Sequence, residues 1–259
     1  MLELSIPELV EWMNRFMWPL FRISSFFMAI PLLGTQLVPA RIRLGLALVV
    51  TILVAPLLPP MPVYDGLSPA VFLIVVQQLL IGTALGFIVQ VLFQLFIVAA
   101  QMISSQMGLG FASVSDPTNG VTVVVLSQLY LMIVMMLFLA MDGHLVLIDI
   151  IVGSFYMLPV GESLPGSVLW QVASAGSWMF AGGLLLALPA VIALLVVNFA
   201  FGIMTKAAPQ LNIFAIGFPF TMLFGLFIVW VSLAGFLGQY QRFAEQVLGY
   251  VARMLSGAP

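Results

Sequence analysis

The chain has 259 residues, 63% of them hydrophobic and 6% charged, whereas a soluble domain carries about 25% charged residues, so a water-solvated globule is excluded and a polytopic α-helical membrane protein is implied. Seven Lys and Arg against nine Asp and Glu leave a net charge of −2, without the basic field that draws proteins onto nucleic acid. The lack of cysteine and the single histidine exclude disulfides, thiolate zinc, iron–sulfur clusters and multi-histidine metal sites, and no cofactor is expected.

Glu3, Glu8 and Glu11 put acid where a cleavable signal peptide needs a basic segment, so the N-terminus is expected to be retained. Residues 12–33 and 42–58 are apolar runs of spanning length, joined by a short turn with Pro39, Arg41 and Arg43, and read as a helical hairpin. After Pro59-Pro60-Met61-Pro62, residues 70–107 contain no ionisable group and would make a helix of ~57 Å where a bilayer core offers ~30 Å. Either the run kinks around Gly82 and Gly86, or part of it lies outside the hydrocarbon layer against other protein; the second explanation is favoured.

A stretch rich in helix breakers, 108–120, precedes a clean span at 121–140. The apolar stretch 145–160, about 16 residues with Asp149 and Gly153, is short for a span and is left open between spanning, re-entrant and interfacial helix. Residues 170–204 are again overlong, with Gly182-Gly183 and Pro189 as expected kink points. Residues 213–237 close the apolar set, and the tail from Gln239 is amphipathic. Arg41, Arg43 and Lys206 fall on one side of the membrane, which the positive-inside rule makes cytoplasmic. Arg242 and Arg253 fall on the other side, so either the stretch after Ala140 spans or the tail escapes the rule.

Few residues offer chemistry. His144 lies near Asp142 and Asp149, and Gly161-Glu-Ser-Leu-Pro165 approaches a G-x-S-x-G elbow, but the last glycine is a proline and no strand precedes it. An enzyme is not expected. A polytopic secondary transporter of a small solute is the main alternative, weakened by spans that hold almost no ionisable group. Arg15 and Arg22, seven apart on one helical face, are read as structural.

At 100° per residue Gln90, Gln94, Gln101 and Ser105 fall within about 60° of one another. This polar stripe either bonds neighbouring helices or lines a wet conduit; its continuation into Gln106-Met107-Gly108 favours the conduit, with a flexible glycine-rich stopper. Met102 and Met107 are soft enough to deform around varied side chains at a constriction. Ala215 and Gly217 are small enough for close helix approach in a membrane.

The run Lys206-Ala-Ala-Pro-Gln-Leu-Asn-Ile-Phe-Ala-Ile-Gly-Phe-Pro219 closely resembles the C-terminal signature of the FliR/SctT/SpaR family of type III secretion export-gate proteins. Pro39-Ala-Arg-Ile-Arg43, Gln106-Met-Gly-Leu-Gly110 followed by Asp116-Pro117, and Phe138-Leu-Ala-Met-Asp-Gly-His144 extend the resemblance over nearly the whole chain. The Lys-Ala-Ala start looks flagellar rather than injectisome-like.

The resemblance implies an export-gate subunit of the flagellar type III secretion system in the bacterial inner membrane and flagellar basal body. It implies assembly with FliP and FliQ, contact with FlhB, secreted flagellar proteins in transit, surrounding membrane lipid and no catalysis. Residues 1–165 would fold like FliP and 166–259 like FliQ, as kinked helical hairpins lifted largely out of the hydrocarbon layer. By the same resemblance the region 108–120, with Gln106, Met107, Gly108, Gly110, Phe111, Asp116 and Pro117 at and around it, would plug the closed channel. Arg41, Arg43, Lys206, Pro209, Gln210 and Asn212 would form a cytoplasmic-side contact at the entrance, or else simply a capped inter-helix turn.

Overall fold

The computed structural model of the chain describes residues 6–31, 38–62, 69–109, 125–162, 166–208 and 213–256, with the side chains of 6–12 and 213–216 outside that description. The described residues are almost wholly α-helical and contain no strand. In chain order the helices are α1 (Ile6–Ala29), α2 (Ala40–Val54) with a 3-10 turn at Ala55–Leu57, α3 (Pro69–Gln106), α4 (Val125–Ala140), α5 (Gly143–Met157), α6 (Gly166–Ala207), α7 (Ile213–Ser232) with a 3-10 turn at Leu233–Gly235, and α8 (Phe236–Ser256). Prolines punctuate them: Pro39 sets the entry to α2, and Pro59-Pro60 follows the turn that ends it.

Among the described residues four helical stretches are long and apolar enough to cross a membrane: Ala40–Leu57, Pro69–Gln106, Gly166–Ala207 and Gly217–Ser256; α4 and α5 qualify together as a bent pair. The protein is therefore an all-α polytopic membrane protein. The first expected span, α1, is outside this set because Asn14, Arg15, Pro19 and Arg22 dilute its apolar run. The stretch left open at 145–160 forms α5, entered through a 71° bend after α4 with Asp142 in the left-handed region at φ 55°.

Two compact units arise. One contains Met1–Val91, Met141–Ala175 and Gln246–Pro259; the other contains Leu92–Ala140 and Gly176–Glu245. In the first, α1 packs on α2 and on α3, burying Ile23, Phe26, Ile30, Ile81 and Leu85. In the second, Phe96 of α3 is wholly buried among Phe236, Tyr240 and Phe243 of α8, with ring centroids 5.2, 6.3 and 5.9 Å away. Trp178 of α6 meets Phe243 edge-on at 5.9 Å.

Gly82 and Gly86, weighed as kink points in the less favoured reading, and Gly182 and Gly183, expected as kink points, all sit where another helix comes close. α3 runs as one helix through Gly82 and Gly86, and both let α1 approach closely. A Cβ on Gly82 would overlap Ser25 Oγ and the Arg22 carbonyl, and one on Gly86 would lie 2.5 Å from Ala29 Cβ. Likewise α6 is uninterrupted through Gly182, Gly183 and Pro189, and a Cβ on Gly183 would lie 3.1 Å from the Leu95 carbonyl of α3. Gly82-Thr-Ala-Leu-Gly86 is thus a small-xxx-small packing face.

Candidate functional site

The C-terminal end of α3 is built by its own sequence. Leu109 N–H reaches back to the Ser104 carbonyl at 3.1 Å and Gly108 N–H to the Ser105 carbonyl at 3.2 Å, the paired bonds of a Schellman cap. That cap needs a left-handed residue, and Gly108 supplies it at φ 78°. Space demands glycine as well, since a Cβ here would lie 2.8 Å from Cε2 and 3.0 Å from Cδ2 of Phe218.

Two further helices hold this terminus. Asn198 of α6 donates from Nδ2 to the Gln106 carbonyl at 3.2 Å, a carbonyl of the last turn that has no partner along the helix. Met107 is wholly buried, its thioether laid along the bare backbone of Gly225 in α7. Between the three helices a cavity of about 370 Å³ opens, lined by Ser105, Gln106 and Gly108 of α3, Asn198 and Thr205 of α6, and Gly217 and Phe218 of α7 among others. Among the described residues no charged side chain lines it.

Three separately expected groups therefore meet here: Gln106 and Gly108 of the plug region, Ser105 of the polar stripe, and Gly217 of the close-packing pair. Higher on the stripe Gln90 and Gln94 are half-buried, while Gln101 and Ser105 are exposed. Lys206 is exposed at the end of α6, Arg41 is exposed at the start of α2, and Arg43 Nε donates to the Val38 carbonyl at 3.0 Å. Gly110, Phe111, Asp116, Pro117, Pro209, Gln210 and Asn212 lie outside the described residues, as does the side chain of Ala215.

Asn198, Phe218 and Gly225 are site residues that sequence reasoning missed. Gly225 stands four residues after Thr221 and eight after Gly217 on one face of α7, a small-residue spacing that could have flagged it. Arg22 is more built-in than expected. It is fully buried and donates to Gln78 Oε1 at 2.7 Å, to Ser154 O at 2.8 Å and to Leu158 O at 2.9 Å. By contrast Asp142, His144 and Asp149 are all exposed, and no metal-holding group of three acidic or histidine residues occurs among the described residues.

A family model described as bacterial export proteins, family 1, matches residues 13–247. The chain is 37% identical to the flagellar biosynthetic protein FliR of Escherichia coli K12 over 99% of this chain and 97% of that relative. It is 30% identical to the FliR of Aquifex aeolicus over 82% of this chain and 83% of the relative, and 28% identical to that of Bacillus subtilis over the same shares.

Proposed function

The chain belongs to the bacterial export proteins, family 1, and we propose on that premise that it is an export-gate subunit of the flagellar type III secretion system. It helps form a gated conduit through which unfolded flagellar proteins pass, driven by machinery elsewhere. FliP and FliQ assemble with it, FlhB contacts it, and the assembly sits in the bacterial inner membrane at the flagellar basal body. Residues 1–165 take the FliP-like role and 166–259 the FliQ-like role.

The observation that carries this reading is the end of α3. A conduit that must seal and open needs a defined anchor immediately before its stopper, and the Schellman cap at Gly108 supplies one, braced by Asn198, Phe218 and Gly225. The region 108–120 that follows, with Gly110, Phe111, Asp116 and Pro117, acts as the plug. Gln90, Gln94, Gln101 and Ser105 face the conduit or bond partner helices. Arg41, Arg43, Lys206, Pro209, Gln210 and Asn212 form the cytoplasmic-side entrance, while Ala215 and Gly217 allow the close packing of α7.

α8 supports a position of unit two partly out of the hydrocarbon layer. Its inner face buries Phe236, Tyr240 and Phe243 on Phe96, while Gln241, Arg242 and Glu245 are exposed on its outer face. Charged side chains facing lipid are costly, so that face meets water or a partner. The middle of α3, beneath α8, is then buried in protein.

The test combines assembly with sealing. Tagged chain purified from its native host in mild detergent should bring down FliP and FliQ. In cells, Phe111→Ala and Gly108→Asp should leave insertion intact while increasing ion leakage or lowering export. Purification of the chain alone, with saturable movement of a small solute, would favour the transporter instead. Wild-type export and membrane potential in both variants would remove the plug assignment.

A further inference from the structure

We propose that Arg22 of α1 is the positioning residue that caps the C-terminal end of α5, allowing that helix to stop inside the protein. α5 has 15 residues, about 22 Å, too short for a layer of ~30 Å. The final carbonyls of any helix lack partners along the helix, and away from water each orphaned one is costly.

The guanidinium reaches two carbonyls at this end, those of Ser154 and Leu158. Ser154 O already accepts the Leu158 N–H at 2.9 Å. Arg22 Nη1 gives it a second donor at 2.8 Å and reaches Ser154 Oγ at 3.2 Å, while Nη2 donates to Leu158 O at 2.9 Å. The Phe155 ring lies 4.1 Å from the guanidinium carbon, covering its face with π-electron density. No carboxylate pairs with Arg22 among the described residues. The negative end of the α5 dipole takes that place.

α3 aims the donor fork. Gln78 is fully buried, accepts from Arg22 Nε at 2.7 Å through Oε1, and finds no partner for its own Nε2 among the described residues. Such an arrangement is costly for glutamine alone and makes sense as a fixed acceptor that orients the guanidinium plane. Gly82, one turn along α3, packs against the Arg22 carbonyl, so the backbone of Arg22 is seated by the same helix. Lysine, a point charge with one nitrogen, could not reach Gln78, Ser154 and Leu158 together.

The chain has no cysteine, so single reporter cysteines can be read cleanly in the full chain in its native membrane. Ile151→Cys reports α5 and Ala187→Cys, buried in the other unit, serves as control; both native residues are fully buried. With N-ethylmaleimide, Arg22→Met should raise the labelling rate at Ile151→Cys by about tenfold, the scale expected when one buried acceptor is orphaned, and leave Ala187→Cys unchanged. The double variant R22M/Q78M should label as fast as R22M, because the α5 carbonyls stay uncapped. Wild-type labelling in R22M, a return to it in R22M/Q78M, or equal acceleration at Ala187→Cys would overturn the capping role. If R22M does not accumulate, Arg22→Lys reads the same quantity: a rate several-fold above wild type at Ile151→Cys with Ala187→Cys unchanged is expected, and a wild-type rate overturns the proposal.

Discussion

Gly225 lies against Met107 so closely that a Cβ on the glycine would overlap Met107 Cγ and stand 2.8 Å from both its Sδ and Cε. The contact joins the last residues of α3 to α7 through one flexible side chain and one missing one. A methionine can swing aside where a β-branched residue could not. Gly225→Ala should therefore be tolerated with modest loss of export, whereas Gly225→Val should cost roughly 1–3 kcal/mol through overpacking. Met107→Ala in the same chain should restore much of the loss of Gly225→Val, a coupling that a double-mutant cycle on complex stability would detect. Additive losses would show that the two residues do not bear on each other in the assembled protein.

Gly108 is held to glycine by two separate constraints, a φ of 78° and the Phe218 ring. Gly108→Ala should cost about 1–2 kcal/mol from the left-handed backbone alone, with the ring contact added. Phe218→Leu should remove the second part and leave the first. Gly108→Asn should be milder than Gly108→Ala on the backbone count, since asparagine adopts this region more readily. Melting of the purified complex would separate these contributions, and equal destabilisation by Ala and Asn would mean that crowding outweighs backbone strain.

Glycines in these helices differ sharply in what they can accept. Gly82→Ala must push α1 away, because the atoms it meets include the Arg22 carbonyl, part of a backbone that cannot rotate aside. We expect loss of folded chain, visible as reduced abundance and increased proteolysis. Gly176→Ala meets nothing within 4 Å inside α6 and should be neutral, or stabilising by about 0.5–1 kcal/mol through helix propensity. Comparable losses at both positions would mean that partner subunits, rather than α1, impose the requirement for glycine.

Hydropathy made the helical class and the overlong runs legible, because an uncharged run of α3's length has few other outcomes in a membrane protein. The resemblance at 206–219 carried the family. What escaped was the use of small residues. Gly82, Gly86, Gly182 and Gly183 could be weighed only as kink points along one helix, because sequence displays each helix alone and only the facing helix turns a missing side chain into a contact surface. Arg22 escaped for the same reason: its partners are two backbone carbonyls, a serine hydroxyl and a side-chain amide, all more than fifty residues away, and carbonyls leave no mark in a sequence. Ser105, the pair Gln106 and Gly108, and Gly217 were picked out on three separate grounds, yet their meeting at one cavity depended on how α3, α6 and α7 pack.

Phe96 offers the sharpest test of α8 as a docked rather than spanning helix. It is wholly buried and is the common partner of Phe236, Tyr240 and Phe243, so Phe96→Ala should cost about 3–5 kcal/mol and loosen α8 first. Leu248, already exposed on α8, provides a cysteine position that reports side of membrane without disturbing the contact. In wild-type background a membrane-impermeant thiol reagent should label Leu248→Cys from one side only. Phe96→Ala should make Arg242 and Arg253 more susceptible to trypsin while that sidedness stays fixed, because α8 would detach without crossing the bilayer. Protection of both arginines in the variant would mean that α8 is held chiefly by partner chains, and that the aromatic cluster contributes little to its placement.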